Sequence, residues 1–531
     1  MYRQILDPVA HSLAWSSLAA FLPLAALFLM LGVLRVRAWI ASLASLAVAI
    51  AIAVAVYRMP IGQAALAGSE GAVFGFFPIL WIVISAIWVY QMTVQTGYFD
   101  VLRRSFATVS DDQRIQAIVI AFSFGALLEA LAGFGTPVAI TSVMLLAVGF
   151  KPLKAAVLAL VANTAPVAFG AMAIPIITLA KVSGLPTQTL GAMVGRQTPI
   201  LAFFVPLALV AIADGWRGLR ETWPAALTGG VVFGLGQYAA SNFVSVPLAD
   251  VIASLLSAAA LVAYVRIRPP NAEPTPESGE DVAPADSRAQ VLRAYAPYAT
   301  VIAVFVVCQI TAVKKFLEKA TFTVHWPGLH LYTPKGSAST VPNFTFNLLT
   351  TPGTQMLVAG ILTMAVLRVS VPSALNAYGA TLSQLRWAIV TVMAVLALAF
   401  VMNASGQTIT LGTWMAGAGT VFALIAPILG WLGTAVTGSD TSSNSLFGAL
   451  QVTAAAKAGL SPVLIAAGNS SGGVLGKMIS PQNLAIAAAA VGVDGKEGDI
   501  FRRVFMWSLA FLAFICVLSG LQASVLSWMV P

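Results

Sequence analysis

Apolar runs of about 20 residues, the length that carries a helix across a bilayer, recur along the whole chain and are separated by short polar turns. The pattern predicts spans at about 13–34, 39–57, 72–97, 155–180, 200–213, 225–240, 246–265, 294–313, 356–367, 387–402, 462–491 and 505–527. Two further tracts, 115–150 and 408–456, are too long for one upright span, and each is interrupted by small polar residues. Lys and Arg concentrate in cytoplasmic turns, and here they mark one set of turns: Arg35 and Arg37, Arg103 and Arg104, Lys151 and Lys154, Arg217 and Arg220, Arg266 and Arg268, Arg368 and Arg386, Arg502 and Arg503. By that count the tract 115–150 starts and ends inside, and 408–456 starts and ends outside. Both read as re-entrant hairpins, because non-helical backbone at membrane depth is tolerable only when buried in protein or lining a wet cavity. The predicted fold is an all-α polytopic membrane protein with 12 transmembrane helices plus two re-entrant hairpins, and with both termini on the periplasmic face.

One polar pattern occurs twice inside the apolar tracts. Asn163-Thr164-Ala165-Pro166-Val167-Ala168-Phe169-Gly170-Ala171-Met172-Ala173-Ile174-Pro175 overlays Asn469-Ser470-Ser471-Gly472-Gly473-Val474-Leu475-Gly476-Lys477-Met478-Ile479-Ser480-Pro481 without a gap. About thirty residues upstream of each lies a second small, polar tract, Ala132-Gly133-Phe134-Gly135-Thr136-Pro137 and Thr437-Gly438-Ser439-Asp440-Thr441-Ser442. The expectation is a hairpin followed by a broken span, present twice. The orientation count gives the two units opposite directions across the membrane. Inverted repeats with broken helices at the midplane are the architecture of many secondary transporters.

Composition narrows the class. Of 531 residues, 59% are hydrophobic and 9% charged, against about 25% charged in soluble domains. The net charge of +9 fits cytoplasmic turns better than nucleic acid. The stretch 266–293 is polar and rich in Pro, Glu and Ala, and reads as a disordered cytoplasmic linker. It divides an N-terminal membrane half, 1–265, from a C-terminal half, 294–531. The first half holds the hairpin 115–150 and the broken span 155–180. The second holds an external loop (314–350), the hairpin 408–456 and the broken span 462–491. Cys308 and Cys516 are isolated in apolar runs and read as packing residues, and His325 and His330 as loop residues without further metal ligands. No nucleotide-binding loop or hydrolase motif is evident, so neither cofactor nor metal is expected.

Half-helix ends at membrane depth attract ions, anions at the N-termini and cations at the carbonyl ends. Asn163, Thr164, Asn469, Ser470 and Ser471 add short polar groups at the breaks, and Thr136, Ser439, Thr441 and Ser442 add them at the hairpin tips. Gly133, Gly135, Gly170, Gly438 and Gly476 let the backbone approach a substrate, or simply let helices pack. Charges at depth are few, and each is a candidate for function. Lys477 is placed to meet a substrate carboxylate, with Asp440 as its counter-ion or a proton carrier. Glu129 is the one acid in the first hairpin's apolar arm, and a carboxyl taken out of water there suits proton carriage. Glu70, Asp100, Lys181 and Arg196 fall near span ends, where interfacial anchoring is expected.

The runs Glu129 to Ile140, Asn163 to Met172, Thr437 to Asn444 and Gly476 to Gln482 together resemble the bacterial L-lactate permease family, and the resemblance extends over essentially the whole chain. It implies proton-coupled uptake of L-lactate and related small 2-hydroxy monocarboxylates, D-lactate and glycolate, across the inner membrane. It admits a homodimer and no nucleic-acid partner. The residues alone indicate only an anion carrier. A sodium-coupled dicarboxylate transporter, with Asp440 and carbonyls around Na⁺, fits them too. A sensor that binds an organic acid without moving it would want a soluble signalling domain, for which the linker is too short.

Overall fold

A computed structural model describes residues 2–107, 109–133, 135–269, 286–334, 336–339, 341–493 and 495–531. Most of the expected linker (270–285) and Phe134 of the first hairpin lie outside the described residues. The apolar runs form helices, because bilayer depth offers no water and every backbone N–H and C=O must be paired within its element. In chain order the principal helices are α1 (Leu13–Val33), α2 (Ala38–Ala55), α3 (Ile61–Gln95), α4 (Gln113–Leu131), α5 (Thr136–Ala147), α6 (Pro152–Ala162), α7 (Gly170–Ser183), α8 (Thr198–Ala239) and α9 (Ala249–Ile267). After the linker come α10 (Arg288–Gln309), α11 (Pro352–Leu367), α12 (Val371–Ser405), α13 (Phe422–Thr437), α14 (Asp440–Lys457), α15 (Pro462–Lys477), α16 (Pro481–Ala490) and α17 (Glu497–Gln522).

Among the described residues, 10 helices are long and apolar enough to cross a membrane, or up to 11 if the bent pair α6–α7 is one span. The sequence pattern suggested twelve; the 10 take residues 187–244 as one helix, leave out the bent pair, α11 and α15–α16, and include residues 113–131 and 407–437, which were expected as hairpin arms. Residues 198–239 run as one helix, interrupted only at Asp214 (φ −142°) and Gly215 (φ 62°). A Cβ on Gly234 would meet the Phe203 ring and the Pro199 carbonyl, and one on Gly230 would meet the carbonyls of Ala202 and Phe203. The two arms of α8 therefore fold back on each other about that kink. Helix α11 is shorter than a full span.

Two local expectations change. The second hairpin is α13–α14; residues 407–415, expected within it, form a short helix, Gln407–Met415, that runs through a kink at Gly419 into α13, and residues 407–437 together are long enough to cross a membrane. Helix α15 continues through the whole polar stretch Asn469–Lys477, and the chain breaks only at Met478–Ser480 before α16 begins. The first unit breaks as expected: α6 ends at Ala162, and the path to residue 183 bends by 63°, with Ala171, Met172 and Ala173 all in the left-handed region. Residues 314–350, expected as an external loop, are structured as well. Strands β2 (Thr321–His325) and β4 (Asn343–Asn347) pair antiparallel, and β3 (Leu331–Tyr332) pairs in parallel with β1 (Tyr2–Arg3), so the fold is helical with two small two-stranded sheets.

The hairpins and broken spans interlock reciprocally. The outgoing arm of the first hairpin, α5, packs on α16, and the outgoing arm of the second, α14, packs on α7. Within the second unit α13 and α15 touch backbone to backbone. A Cβ on Gly472 or Gly476 would lie 2.0 Å from the Pro427 carbonyl oxygen or 2.2 Å from that of Trp431. Small residues that let helices approach closely are the usual basis of packing in lipid.

Candidate functional site

Both hairpin tips converge on the first turn of α16. Each tip turns through a left-handed glycine, Gly135 at φ 83° and Gly438 at φ 76°. A Cβ on Gly135 would meet Ile486 and Asn483 Oδ1, and one on Gly438 would meet Gln482. Asn483 joins the pieces, since its Nδ2 donates to the Ser480 hydroxyl at 2.8 Å and the Lys477 carbonyl at 3.2 Å. Ser480 caps α16 and Ser439 caps α14, each hydroxyl accepting from an N–H in the first turn.

The Lys477 side chain leaves the last residue of α15 and meets the first hairpin. Its Nζ donates to Glu129 Oε1 at 2.6 Å, and Asn163 Nδ2 donates to Glu129 Oε2 at 2.9 Å. Lys477 is 6% exposed and Glu129 3%, so this is a desolvated ion pair. It spans 348 residues of sequence and links the first hairpin, the first break and the end of α15. Gly170 faces it: a Cβ there would lie 2.8 Å from Glu129 Oε1.

Asp440 sits at the start of α14, 3% exposed. Its Oδ2 accepts from the Ser470 hydroxyl at 2.6 Å and from Asn444 Nδ2 at 3.3 Å. Its Oδ1 has no hydrogen-bond partner and no cation contacts it among the described residues. Oδ1 lies over Gly473, where a Cβ would come within 2.0 Å. Asn444 also donates to the Pro175 carbonyl at 3.1 Å and accepts from Asn469 Nδ2 at 2.8 Å. Asn469 Oδ1 in turn accepts from Gln451 at 3.1 Å.

A cavity of about 610 Å³ reaches this centre. Its floor includes Glu129, Lys477, Asp440, Thr441 and Ser442, and its outer wall includes Arg37, Trp39 and Trp387. Trp39 and Trp387 stack at 4.8 Å between ring centroids. The cavity therefore opens on the side that carries Arg37 and Arg386. The first-turn N–H groups of a helix have no intrahelical acceptor, and the first turn of α14 lines this floor. A buried cation beside helix N-terminal N–H groups is a receptive place for a small carboxylate.

A family model for L-lactate permease matches residues 16–526. The chain belongs to the L-lactate permease family. It is 40% identical over 561 aligned residues to an L-lactate permease of Bacillus subtilis (strain 168), covering 100% of both chains. It is 41% identical over 549 residues to the glycolate permease GlcA of Escherichia coli (strain K12), covering 97% of each. An L-lactate permease of the same E. coli strain is 41% identical over 550 residues, covering 100% of each. Membership makes this chain a multi-pass membrane transporter rather than an enzyme.

For this permease-family chain, the candidate residues sort by position. Glu129, Gly133, Gly170, Gly438, Ser439, Asp440, Thr441, Ser442 and Lys477 line the cavity. Asn163 stands behind Glu129, and Ser470 and Asn469 stand behind Asp440. Ser471 points elsewhere and donates to Gln197 Oε1 at 2.7 Å. Thr164, in the turn after α6, donates back to the Val161 carbonyl in the last turn of that helix. Thr136 and Gly135 start α5 away from the cavity lining, and Gly476 packs on Trp431. Lys477 pairs with Glu129, and Asp440, expected as its counter-ion or as a proton carrier, makes no ion pair with it among the described residues. Asn444, Gln451, Asn483 and Gly473 were not singled out from sequence. Their signal is weak: amides inside apolar runs, and one glycine among several.

Proposed function

We propose that the chain takes up L-lactate and related small 2-hydroxy monocarboxylates, D-lactate and glycolate among them, together with protons, across the bacterial inner membrane by alternating access. The substrate class follows from the full-length similarity to lactate and glycolate permeases. The observation that carries the coupling is the buried Lys477–Glu129 pair at the cavity floor. While Glu129 is ionised it occupies Lys477. A proton on Glu129 releases the ammonium, and a substrate carboxylate takes the vacated place. The charge of the centre is the same before and after, so loading avoids burying an unpaired charge, which is strongly disfavoured. Proton and substrate then load together. Thr441, Ser442 and the first-turn N–H groups of α14 orient the carboxylate and hydroxyl. Asn163 holds Glu129 in reach, and Asp440, anchored by Ser470, shapes the second side.

The reciprocal packing of α5 on α16 and α14 on α7 supports two inverted units, in the halves 1–265 and 294–531, that move against the remaining spans. The basic turns support a cytoplasmic opening for the cavity and periplasmic termini. Uptake of radiolabelled lactate into proteoliposomes with imposed pH or sodium gradients tests the reading. Sodium-independent uptake driven by an inward proton gradient is expected. Uptake that requires sodium and ignores the pH gradient refutes it.

A further inference from the structure

A second cavity, of about 700 Å³, lies at the other end of the same helices. Along α7 the inner cavity takes Gly170, Ala171, Ile174 and Pro175, and the outer one takes Ile177, Ala180 and Lys181. Along α12 the inner cavity takes Thr391 and Val392, and the outer one Phe400 and Asn403. Along α14 the division falls between Ser442 and Ser445. Three helices thus line both cavities in succession, as the walls of one path would. Between the cavities runs the hydrogen bond from Asn444 Nδ2 to the Pro175 carbonyl, at 3.1 Å. β4 residues Thr345 and Asn347 also line the outer cavity.

The outer cavity contains one charge on its wall, Lys181. The ammonium lies 5.6 Å from the Phe74 ring centroid and 5.3 Å from that of Phe344, and its hydrogen bond to the Asn343 carbonyl is long, 3.4 Å. Aromatic faces hold a cation without neutralising it. No carboxylate makes an ion pair with Lys181 among the described residues. The carboxylate whose field acts on it is Glu70, which is fully buried, with neither oxygen hydrogen-bonded. Interfacial anchoring, the expectation for a lysine near a span end, does not describe this environment. A cation flanked by two aromatic rings and without an ion-pair partner, on the wall of a cavity, has the chemistry to receive an anion.

We propose that this outer cavity is an external capture site for a small carboxylate anion. Lys181 is its binding group, and the Asn444–Pro175 contact is the barrier between it and the Lys477 site. The inference rests on the monocarboxylate reading above and adds to it a first, peripheral stop on the route. Substrate arriving from outside meets Lys181 before the barrier, and substrate arriving from the cytoplasm meets Lys477 first. Removing the Lys181 charge should therefore affect the two directions unequally.

The experiment compares the unmodified chain with Lys181→Gln and Lys181→Arg in right-side-out vesicles. Initial rates are measured against external lactate for uptake and against internal lactate for efflux. For Lys181→Gln the external KM should rise about tenfold, the loss expected from one modest charge contact, with the internal KM essentially unchanged. Lys181→Arg should restore most of the difference. In the unmodified chain the external KM should rise with salt, as screening weakens capture, and this dependence should vanish in Lys181→Gln. An unchanged external KM, or equal rises on both sides, overturns the proposal. A second measurement does not depend on the substrate. Lys181→Cys, with Cys308 and Cys516 replaced by Ala, should react with a membrane-impermeant methanethiosulfonate added outside and not with one confined inside. Absence of external reaction removes the cavity as drawn. External reaction in a protein that carries no lactate would instead leave the outer cavity standing and refute the substrate assignment.

Discussion

Glu129→Gln is the most informative single change at the Lys477 centre. The substitution keeps the size of the side chain and an oxygen that can accept from Lys477, and it removes both the charge and the exchangeable proton. Glu129 lies in a charge-assisted contact of 2.6 Å and is 3% exposed. Stripping one partner from a buried ion pair costs about 3–5 kcal/mol. Part of that cost should return when a substrate carboxylate neutralises Lys477, so lactate should stabilise the variant more than the unmodified chain. At a hundred times Kd a ligand that binds only the folded form contributes about 2.7 kcal/mol, enough for a thermal shift in detergent to resolve. Transport should separate into two parts. One pH unit is worth about 1.4 kcal/mol, so a one-proton symporter can hold about a tenfold lactate gradient per unit of imposed ΔpH. The unmodified chain should reach this limit in proteoliposomes. Glu129→Gln should exchange internal for external lactate without net accumulation, because its loaded centre is neutral while its empty centre carries the uncompensated Lys477 charge. Its uptake should also lose the increase with falling external pH. Accumulation that persists against a gradient, or an unchanged pH profile, would refute the assignment of the coupled proton to Glu129.

Other expected outcomes follow from the same contacts. Lys477→Ala should abolish accumulation and, by stranding Glu129, destabilise the protein by about 3–5 kcal/mol; Glu129→Ala with Lys477→Ala should recover most of the stability but no transport, as thermal unfolding and uptake on one preparation would reveal. Asp440→Asn keeps an acceptor for Ser470, so it should slow transport and leave the pH profile in place; a flat profile would move the proton from Glu129 to Asp440. Gly473→Ala puts a methyl 2.0 Å from Asp440 Oδ1 and 2.9 Å from Thr434 Oγ1. Overpacking of that kind costs about 1–3 kcal/mol, and it should depress uptake at a protein level in the membrane that immunoblotting shows to be near normal.

The charged members of the site were legible because ionisable side chains at membrane depth are costly and rare. Their partners were not. Lys477 is separated from Asp440 by 37 positions and from Glu129 by 348, and nothing local in the sequence says which acid it meets. The choice is made by the meeting of two hairpin tips on α16, which no local pattern encodes. The same limit explains the second break. Asn469, Ser470 and Ser471 look incompatible with a helix in lipid, yet each finds its partner on a packed neighbour, at Asn444, Asp440 and Gln197. With those groups satisfied, α15 needs no interruption until Met478. In the first unit Pro166 and the left-handed run Ala171 to Ala173 stop the helix by backbone geometry instead, and that break was readable.

This difference between the units bears on how loading could permit movement. Glu129 belongs to the first hairpin, Asn163 to the first break, and Lys477 to the end of the second unit's unbroken helix. The ion pair is therefore a tie between units, and in its ionised form it holds the first hairpin to α15. A proton on Glu129 and a carboxylate on Lys477 loosen that tie together, while either event alone leaves a buried charge without its counter-ion. The empty and the fully loaded centres are neutral, and the half-loaded forms are not. A barrier crossed only by neutral centres excludes the half-loaded forms by the cost of moving an uncompensated charge through a low-dielectric interior. On the proposed reading coupling needs no further gate: it follows from the position of one lysine and one glutamate on elements that have to separate.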